Sequence, residues 1–497
     1  MGWVHGTAAW FLRRRRVNGG DDAPTFFRLL ERGRRTVFGR DHGLQDVRNY
    51  AAFCDRVPVR TYEELFPYIE RAMRGESDVL APQSVRWFSK SSGTTNDRSK
   101  FIPIPYDNLH GNHYAAGKDM VAAYLRSRPD SRVFDGKTLS IGGSHEISRL
   151  NAAARVGDVS AVLLQNLPPF FEWRRAPRRS IALMGRWEEK IEAMARDVYK
   201  QNITAIVGVP TWTLVLMEKL FELEKKDKGS TKRDLSAIWP GLEVFFHGGV
   251  SFTPYENLFK ELISSPRMVY REVYNASEGF FAFQDRPERG MKLLLDRDVF
   301  FEFVPTGGGD AVRVRDVQIG TPYAVVITTS GGLWRYAIGD VVKFIDRERI
   351  AVVGRTKHFI NAFGEEVVVE NADAAVAHAA QTTQAVVADY TAGPVYFERG
   401  EKGGHEWIVE FKRPPNDPEL FRLTLDQTLR KINSDYDAKR ELALDAPKVH
   451  FAPPGLFEEW LRRRGKLGGQ NKVPRLANDR EYLRPLLALF QEMASGS

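Results

Sequence analysis

The sequence predicts an α/β protein in two parts: a large N-terminal layered α/β domain with a β-rich subdomain, and a small C-terminal α+β domain. Three observations carry this. The chain has 497 residues, and a single hydrophobic core stops growing at roughly 250–300 residues, so at least two domains are required. From about residue 84 to 350, short apolar runs alternate with helical stretches, the pattern of a layered domain with a largely buried sheet. After Gly354-Arg355-Thr356-Lys357 the pattern changes, which sets a boundary near residue 355 and domains of 1–354 and 355–497.

The elements follow in order. Residues 20–80 read as helical and polar, with Asp55–Glu70 mixing apolar and acidic positions. Strand-like apolar runs occur at Arg132–Ile141, Ser160–Leu164, Ile203–Val209, Val244–Phe246 and Met268–Val273. Between them, Arg186–Lys200 and Thr213–Lys226 carry apolar residues at helical spacing. The β-rich subdomain covers residues 291–353. Its short strands, broken by glycines, are Val299–Val304, Tyr323–Thr328, Val341–Ile345 and Ile350–Val353. In the C-terminal part a helix around Val367–Ala380 leads to strands at Ala385–Asp389, Val395–Phe397 and Glu406–Phe411. Pro418 is set as the first-turn proline of a helix whose apolar set is Phe421, Leu425, Leu429 and Ile432. A strand at Lys448–Phe451 and a helix at Leu456–Arg464 follow.

Composition excludes several classes. Apolar residues make up 43% and charged residues 27%, which is globular usage and not that of a disordered, collagen-like or coiled-coil chain. A net charge of +8 is thin over this length; it suits an anionic small molecule better than nucleic acid. Cys54 is the single cysteine, so an intrachain disulfide and a cysteine-based zinc site are excluded. No run reaches the ~18 apolar residues of a membrane span. At the N-terminus Ala8–Leu12 precedes the basic Arg13–Arg16, the reverse of a signal peptide. Gly2 is not followed by Ser or Thr at position 6, so the myristoylation pattern fails. A cytoplasmic monomer is expected, with no nucleic-acid and no membrane partner.

Four segments carry chemistry. Ser91-Ser92-Gly93-Thr94-Thr95-Asn96-Asp97-Arg98-Ser99-Lys100 holds five hydroxyl residues, a glycine and two cations. Hydroxyls and backbone N–H groups can wrap phosphate oxygens, and Arg98 or Lys100 can neutralise them; a polar surface loop has the same composition. No GxxxxGK[ST], GxGxxG or HExxH occurs, which leaves P-loop, dehydrogenase and zincin readings without support. In Met268–Gly279 a strand-like run ends in Tyr274, small residues, Glu278 and a glycine. An aromatic there can stack on a base and a carboxylate can hold magnesium; a packed Tyr and a turn Glu are the bland alternative. In Leu333–Val342, Asp340 in a Gly-Asp turn can accept from ribose hydroxyls or simply close a hairpin. In Gly468–Arg475, Lys472 is a mobile cation or a solvated one.

The four segments, in this order, resemble the adenylate-forming superfamily, and more closely the Gretchen Hagen family of acyl-acid amido synthetases, known for auxin-responsive members. Ser91–Lys100 is similar to that family's phosphate motif. Tyr274–Glu278 resembles its Tyr-Ala-Ser-Ser-Glu motif and Tyr336–Asp340 its Tyr-Arg-x-Gly-Asp motif. Gly354–Glu366 looks like its hinge, and Asn471–Arg475 like its C-terminal lysine loop. The likeness spans roughly residues 60–490. Three positions depart: Asp97 stands where a glycine is usual, Asn275 where Ala is common, and Ala337 where the family has Arg.

The resemblance implies an adenylate-forming enzyme fold with a mobile C-terminal domain, and a ligase that uses ATP and Mg²⁺. It adenylates a carboxylic acid and transfers the acyl group to an amino acid. Lys472 and Glu278 are the implied catalytic residues, and Glu278 is the implied metal ligand. Ser91, Ser92, Gly93, Thr94, Thr95 and Lys100 would bind ATP phosphates. Tyr274, with Gly248-Gly249-Val250 opposite, would flank adenine, Asp340 would hold ribose, and Ser277 belongs to the same ATP-binding set. Arg355 and Lys357 complete the ATP set at the hinge. Tyr114, His145, Val209 and Trp212 are candidates for the acyl pocket; core packing is the better account of any one of them taken alone. An acyl-CoA ligase sharing the adenylation step is the alternative function.

Overall fold

The computed structural model describes residues 21–91, 100–142, 147–253, 255–287, 289–355, 359–397, 402–464 and 473–495. The chain forms two compact units that divide at about residue 356.

The larger unit holds two sheets. Its strands begin with β1 (Trp87–Ser91), β2 (Lys100–Pro103), β3 (Lys137–Ile141), β4 (Ser148–Arg149) and β5 (Arg155–Gly157). Then come β6 (Arg175–Ala176), β7 (Ile203–Gly208), β8 (Val244–His247), β9 (Val269–Asn275), β10 (Phe280–Phe283) and β11 (Met291–Leu293). The last are β12 (Val299–Pro305), β13 (Val312–Arg313), β14 (Pro322–Thr329), β15 (Tyr336–Phe344) and β16 (Arg349–Arg355). The small sheet has order β2-β1-β5-β4; the large one has order β13-β12-β14-β15-β16-β11-β10-β9-β8-β7-β3-β6. In the large sheet β6, β3, β7, β8 and β9 are parallel, and from β9 onward the pairing is antiparallel. The β-rich stretch therefore does not fold apart; it extends the same sheet.

Burial explains the pattern. All four residues of β8 are buried, as expected where helices cover both faces of a parallel sheet. Phe246 packs with Met120, Ala123 and Tyr124 of the helix Tyr114–Ser127, while Phe245 faces the other way and stacks on Phe259 of the helix Glu256–Leu262, centroids 5.2 Å apart. Over the antiparallel half lie the N-terminal helices, with Phe26 5.0 Å from Phe300 and Phe38 stacked on Trp334 at 5.6 Å.

One expected strand is a helix. Ser160–Leu164 lies inside the helix Val159–Gln165, whose N-cap Asp158 accepts from Ala161 N at 2.7 Å. A five-residue apolar run fits either period, and the cap decides it. Within Arg132–Ile141 the first part is a 3₁₀ turn, Val133–Asp135, and only Lys137–Ile141 is a strand.

The smaller unit has the strands β17 (Phe359–Ile360), β18 (Val367–Val368), β19 (Val386–Val395), β20 (Gly404–Arg413) and β21 (Lys448–Ala452). β20 pairs antiparallel with β19 and parallel with β21. The expected strands Ala385–Asp389 and Val395–Phe397 are one strand. Its pairing with β20 runs through Gly393 and Pro394 to Val395, so the Gly-Pro dipeptide does not end it. Trp407 and Val409 on one face of β20 pack with the helices Val369–Thr382 and Pro418–Ile432. Ile408 on the other face meets Leu456, Trp460, Leu483 and Leu486, from the helices Leu456–Arg463 and Leu483–Ser495. Asp417 caps Pro418–Ile432 by accepting from Glu419 N and Leu420 N. The chain after residue 472 is strapped along β19: Ala392 N donates to Arg475 O at 2.9 Å and Ala477 N to Ala392 O at 3.1 Å. No helix among the described residues is long and apolar enough to cross a membrane.

Candidate active site

The carboxyl ends of the parallel strands lie along one edge of the sheet. Ile141 pairs with Gly208, Gly208 with His247 and His247 with Glu272. In such sheets ligands bind outside this edge, because the connecting loops gather there. The segments singled out in the sequence leave from it. Val209 follows β7, Gly248-Gly249-Val250 follow β8, and Asn275–Glu278 lead out of β9. His145 follows β3 and falls outside the described residues.

The local backbone has plain causes. At Gly248 a Cβ would sit 2.4 Å from Val273 O, so no side chain fits. Gly249 has φ +82°, a left-handed conformation that favours glycine. Beside it is Val209, whose Cγ2 would be 3.3 Å from a Cβ at Gly249. At the end of β9, Ala276 N donates to Gly279 O at 2.8 Å and Gly279 N to Ala276 O at 3.3 Å. Ser277 and Glu278 are therefore the two central residues of the β9–β10 hairpin turn.

A hairpin tip ordinarily faces water, yet Glu278 is only 8% exposed. The turn is docked on β1: Ser89 Oγ donates to Ser277 Oγ at 2.9 Å. Two residues on, Ser91 pairs with Lys100 across the β1–β2 hairpin. Both ends of the phosphate segment are thus held beside the Glu278 turn. Ser92, Gly93, Thr94 and Thr95 themselves lie outside the described residues.

Lys100 Nζ donates to Tyr336 OH at 3.3 Å and lies 5.6 Å and 5.8 Å from the ring centroids of Tyr62 and Tyr336, within the range of cation–π attraction. Tyr62 OH accepts from Phe101 N at 2.7 Å. Burial, chiefly, pushes the Tyr62 hydroxyl up to about 12, with the Glu63 and Glu278 carboxylates adding to it. Glu278 is therefore close enough to be felt at Tyr62, and Tyr62, Lys100 and Glu278 share one neighbourhood.

Asp340 reaches the same region through a bulge. Opposite β14, the register slips between the partners of Ala324 and Val326, and it slips again opposite β16 after Val341. Gly339, with φ +92°, takes up the distortion. Tyr274 OH then donates to Asp340 Oδ2 at 2.6 Å, both side chains being buried. Across β16, Asp340 is the partner of Arg355.

Of the acyl-pocket candidates, Val209 N-caps the helix Pro210–Lys228 and Trp212 stands in its first turn. Tyr114 gives its hydroxyl hydrogen to Leu163 O at 2.7 Å and packs beside Trp87, Leu109 and Val162, a structural placement. Lys357 and Lys472 fall outside the described residues. Sequence reasoning missed Ser89 and Tyr62. Ser89 carried a signal, a hydroxyl two residues before Ser91 at the entry to the phosphate segment; Tyr62, on the helix Tyr62–Met73, carried none.

The GH3 family N-terminal domain matches residues 22–268, its central domain residues 292–350 and its C-terminal domain residues 370–481. The chain belongs to the GH3 family. This GH3 chain is 24% identical to the probable indole-3-acetic acid-amido synthetase GH3.1 of Arabidopsis thaliana, over 90% of its own length and 88% of that protein's. It is 24% identical to the jasmonoyl-L-amino acid synthetase JAR6 of Nicotiana attenuata, over 64% of its own length and 65% of that protein's. Its fold is similar to the GH3.15 acyl acid amido synthetase solved with 2,4-DB, with a TM-score of 0.60, 18% identity and coverage of 94% and 93% of the two chains. It is equally similar to a 2-hydroxyisobutyryl-CoA ligase solved in its thioesterification state, with a TM-score of 0.59, 15% identity and coverage of 95% and 92%. This GH3 chain therefore carries the adenylate-forming enzyme fold.

Proposed function

We propose that this GH3 chain is an ATP-dependent acyl-acid amido synthetase. It adenylates a carboxylic acid, releasing pyrophosphate, and then passes the acyl group to the amine of an amino acid, releasing AMP. The observation that carries this is the meeting of the Glu278 turn with both ends of the Ser91–Lys100 segment, beside the Tyr274–Asp340 pair.

Attack of a carboxylate on the α-phosphate brings two anions together, so the barrier is largely electrostatic and positional. Lys100, steadied by Tyr336 and Tyr62, is a fixed cation at the exit of the phosphate segment. Asp340 accepts from the ribose hydroxyls, and the bond from Tyr274 holds that carboxylate in one orientation. Gly248 and Gly249 let backbone approach the flat base.

Mg²⁺ bound with a nucleotide needs only one or two protein carboxylates, since phosphates and water complete its shell. Among the described residues no group of three His, Cys, Asp or Glu forms a dedicated metal cage, so the single buried Glu278 fits that arrangement. The ion supplies charge neutralisation on the phosphates. Lys472 keeps the role its motif implies, a cation for adenylation. Its removal should therefore reduce pyrophosphate exchange more than it reduces the reaction of a supplied acyl-adenylate with an amine.

The choice of an amine acceptor over CoA is supported by the names of the relatives, among them a 4-substituted benzoates-glutamate ligase of Arabidopsis thaliana. The test is acid-dependent ATP–pyrophosphate exchange across aromatic and aliphatic acids, then mass analysis of products formed with all amino acids and with CoA. Amide and AMP are expected. Acyl-CoA without amide would overturn the acceptor and leave adenylation standing; ADP in place of AMP would overturn both.

A further inference from the structure

The small sheet carries a second, basic site. At the start of β1, on the order of 16 Å along the strand from Ser91, Arg86, Arg149 and Arg155 line a cavity of about 160 Å³ with Asn151, Ala152 and Ala153. Arg149 and Arg155 are direct cross-strand partners on β4 and β5, and Arg155 N donates to Arg86 O at 2.9 Å. Like charges placed opposite each other on a ladder repel. Among the described residues none of the three guanidiniums has a carboxylate partner, although nearby arginines do: Arg71 pairs with Glu76 and Arg74 with Glu70.

All three arginines are exposed, and two of them have side-chain contacts that limit their freedom. Arg149 Nε donates to Asn151 O at 3.1 Å. Asn151 Oδ1 accepts from Ala153 N and Ala154 N, both at 2.8 Å, and its amide donates to Met73 O at 2.8 Å. The Arg155 guanidinium lies 5.5 Å from the centroid of the Trp87 ring. Forked donors of one sign around a small concavity match the oxygens of a phosphate group, and the cavity is too small to seat a macromolecule.

We propose that Arg86, Arg149 and Arg155 form a binding site for a compact phosphate-bearing anion, separate from the candidate active site and independent of how that site is read. The anion relieves the repulsion between the paired arginines and draws β1, β5 and β4 together.

The test uses the full chain at constant ionic strength, made up with NaCl, and follows thermal unfolding with orthophosphate, pyrophosphate or AMP. Without these anions, Arg149→Gln/Arg155→Gln should melt at or above the wild-type temperature, because a repulsion has been removed. With pyrophosphate, wild type should gain several degrees more than the double variant. Its titration should show a site, in addition to any at the active site, that the double variant lacks. The single substitution Arg86→Gln, which leaves the β4–β5 pair intact, should weaken that site at least tenfold. ATP–pyrophosphate exchange should persist in all variants. A response to AMP equal to that to phosphate identifies a nucleotide-borne group; a response to phosphate and pyrophosphate alone identifies the free anion. Equal anion shifts in wild type and double variant, or no shift beyond that of NaCl, would overturn the proposal.

Discussion

Tyr274 and Asp340, 66 residues apart, are joined by a 2.6 Å hydrogen bond from phenol to carboxylate. It ties the last parallel strand, β9, to the bulge in β15 and aims Asp340 at the edge where the motifs meet. A hydrogen bond to a charged group contributes about 1.5–3 kcal/mol. Tyr274→Phe should therefore raise the KM for ATP about 10- to 100-fold, with a smaller change in kcat, and Asp340→Ala should nearly abolish adenylation. Steady-state kinetics at varied ATP separates the two; an unchanged KM in Tyr274→Phe would detach the pair from nucleotide binding.

Glu278 is expected to matter for its charge. Glu278→Gln keeps the turn and its volume, while kcat/KM should fall by about 2–4 kcal/mol in transition-state terms, a factor of roughly 30 to 10³. Circular dichroism and thermal unfolding should remain those of wild type. Full turnover in this variant at saturating ATP and metal would move the metal ligand elsewhere.

Lys100 is held between two tyrosines, Tyr62 and Tyr336. Lys100→Met retains the aliphatic stem and removes the cation, so pyrophosphate exchange should drop at least tenfold with little loss of stability. Tyr336→Phe should show a milder loss of the same kind, because the ring face remains.

The motif residue Arg335 is structural. Its guanidinium pairs with Glu302 at 2.9 Å, the side chains being 7% and 0% exposed, and it donates to Val57 O at 2.7 Å. Removing one partner of a buried pair leaves an uncompensated charge and costs about 3–5 kcal/mol. Glu302→Ala should lose that much in denaturant unfolding, and Glu302→Met combined with Arg335→Met should lose less than the sum of the single changes.

In the smaller unit Glu406 accepts from His450 at 2.9 Å and pairs with Arg480, through two contacts that hold its carboxyl down at about 2, from an ordinary 4.5. A depressed carboxyl contributes stability that is present above its unfolded pKa and lost as pH falls through the folded one. The stability of this unit should thus fall as pH drops from about 4.5 to about 2. In Glu406→Gln the slope over that window should flatten; an unaltered slope would assign the acid sensitivity to other carboxylates.

The sequence by itself determined what local periodicity and local chemistry encode. The apolar Val244–Phe246 run read as a strand of a largely buried sheet and Pro418 as a first-turn proline, and both elements are present. The order of the Ser91–Lys100, Tyr274–Glu278 and Tyr336–Asp340 segments carried the family, and through it the residues that would handle ATP. Where a signal was short or double-edged, packing chose. Ser160–Leu164 became a helix because Asp158 caps it, and β19 ran on through Gly393-Pro394 because β20 offers a continuous partner. The tertiary structure alone decided that Ser89 meets Ser277 across 188 residues and Lys100 meets Tyr336 across 236, and that the β-rich stretch joins the parallel sheet. Such pairs depend on strand register and on which faces the whole core must bury, and a single side chain or a short sequence window holds no record of either.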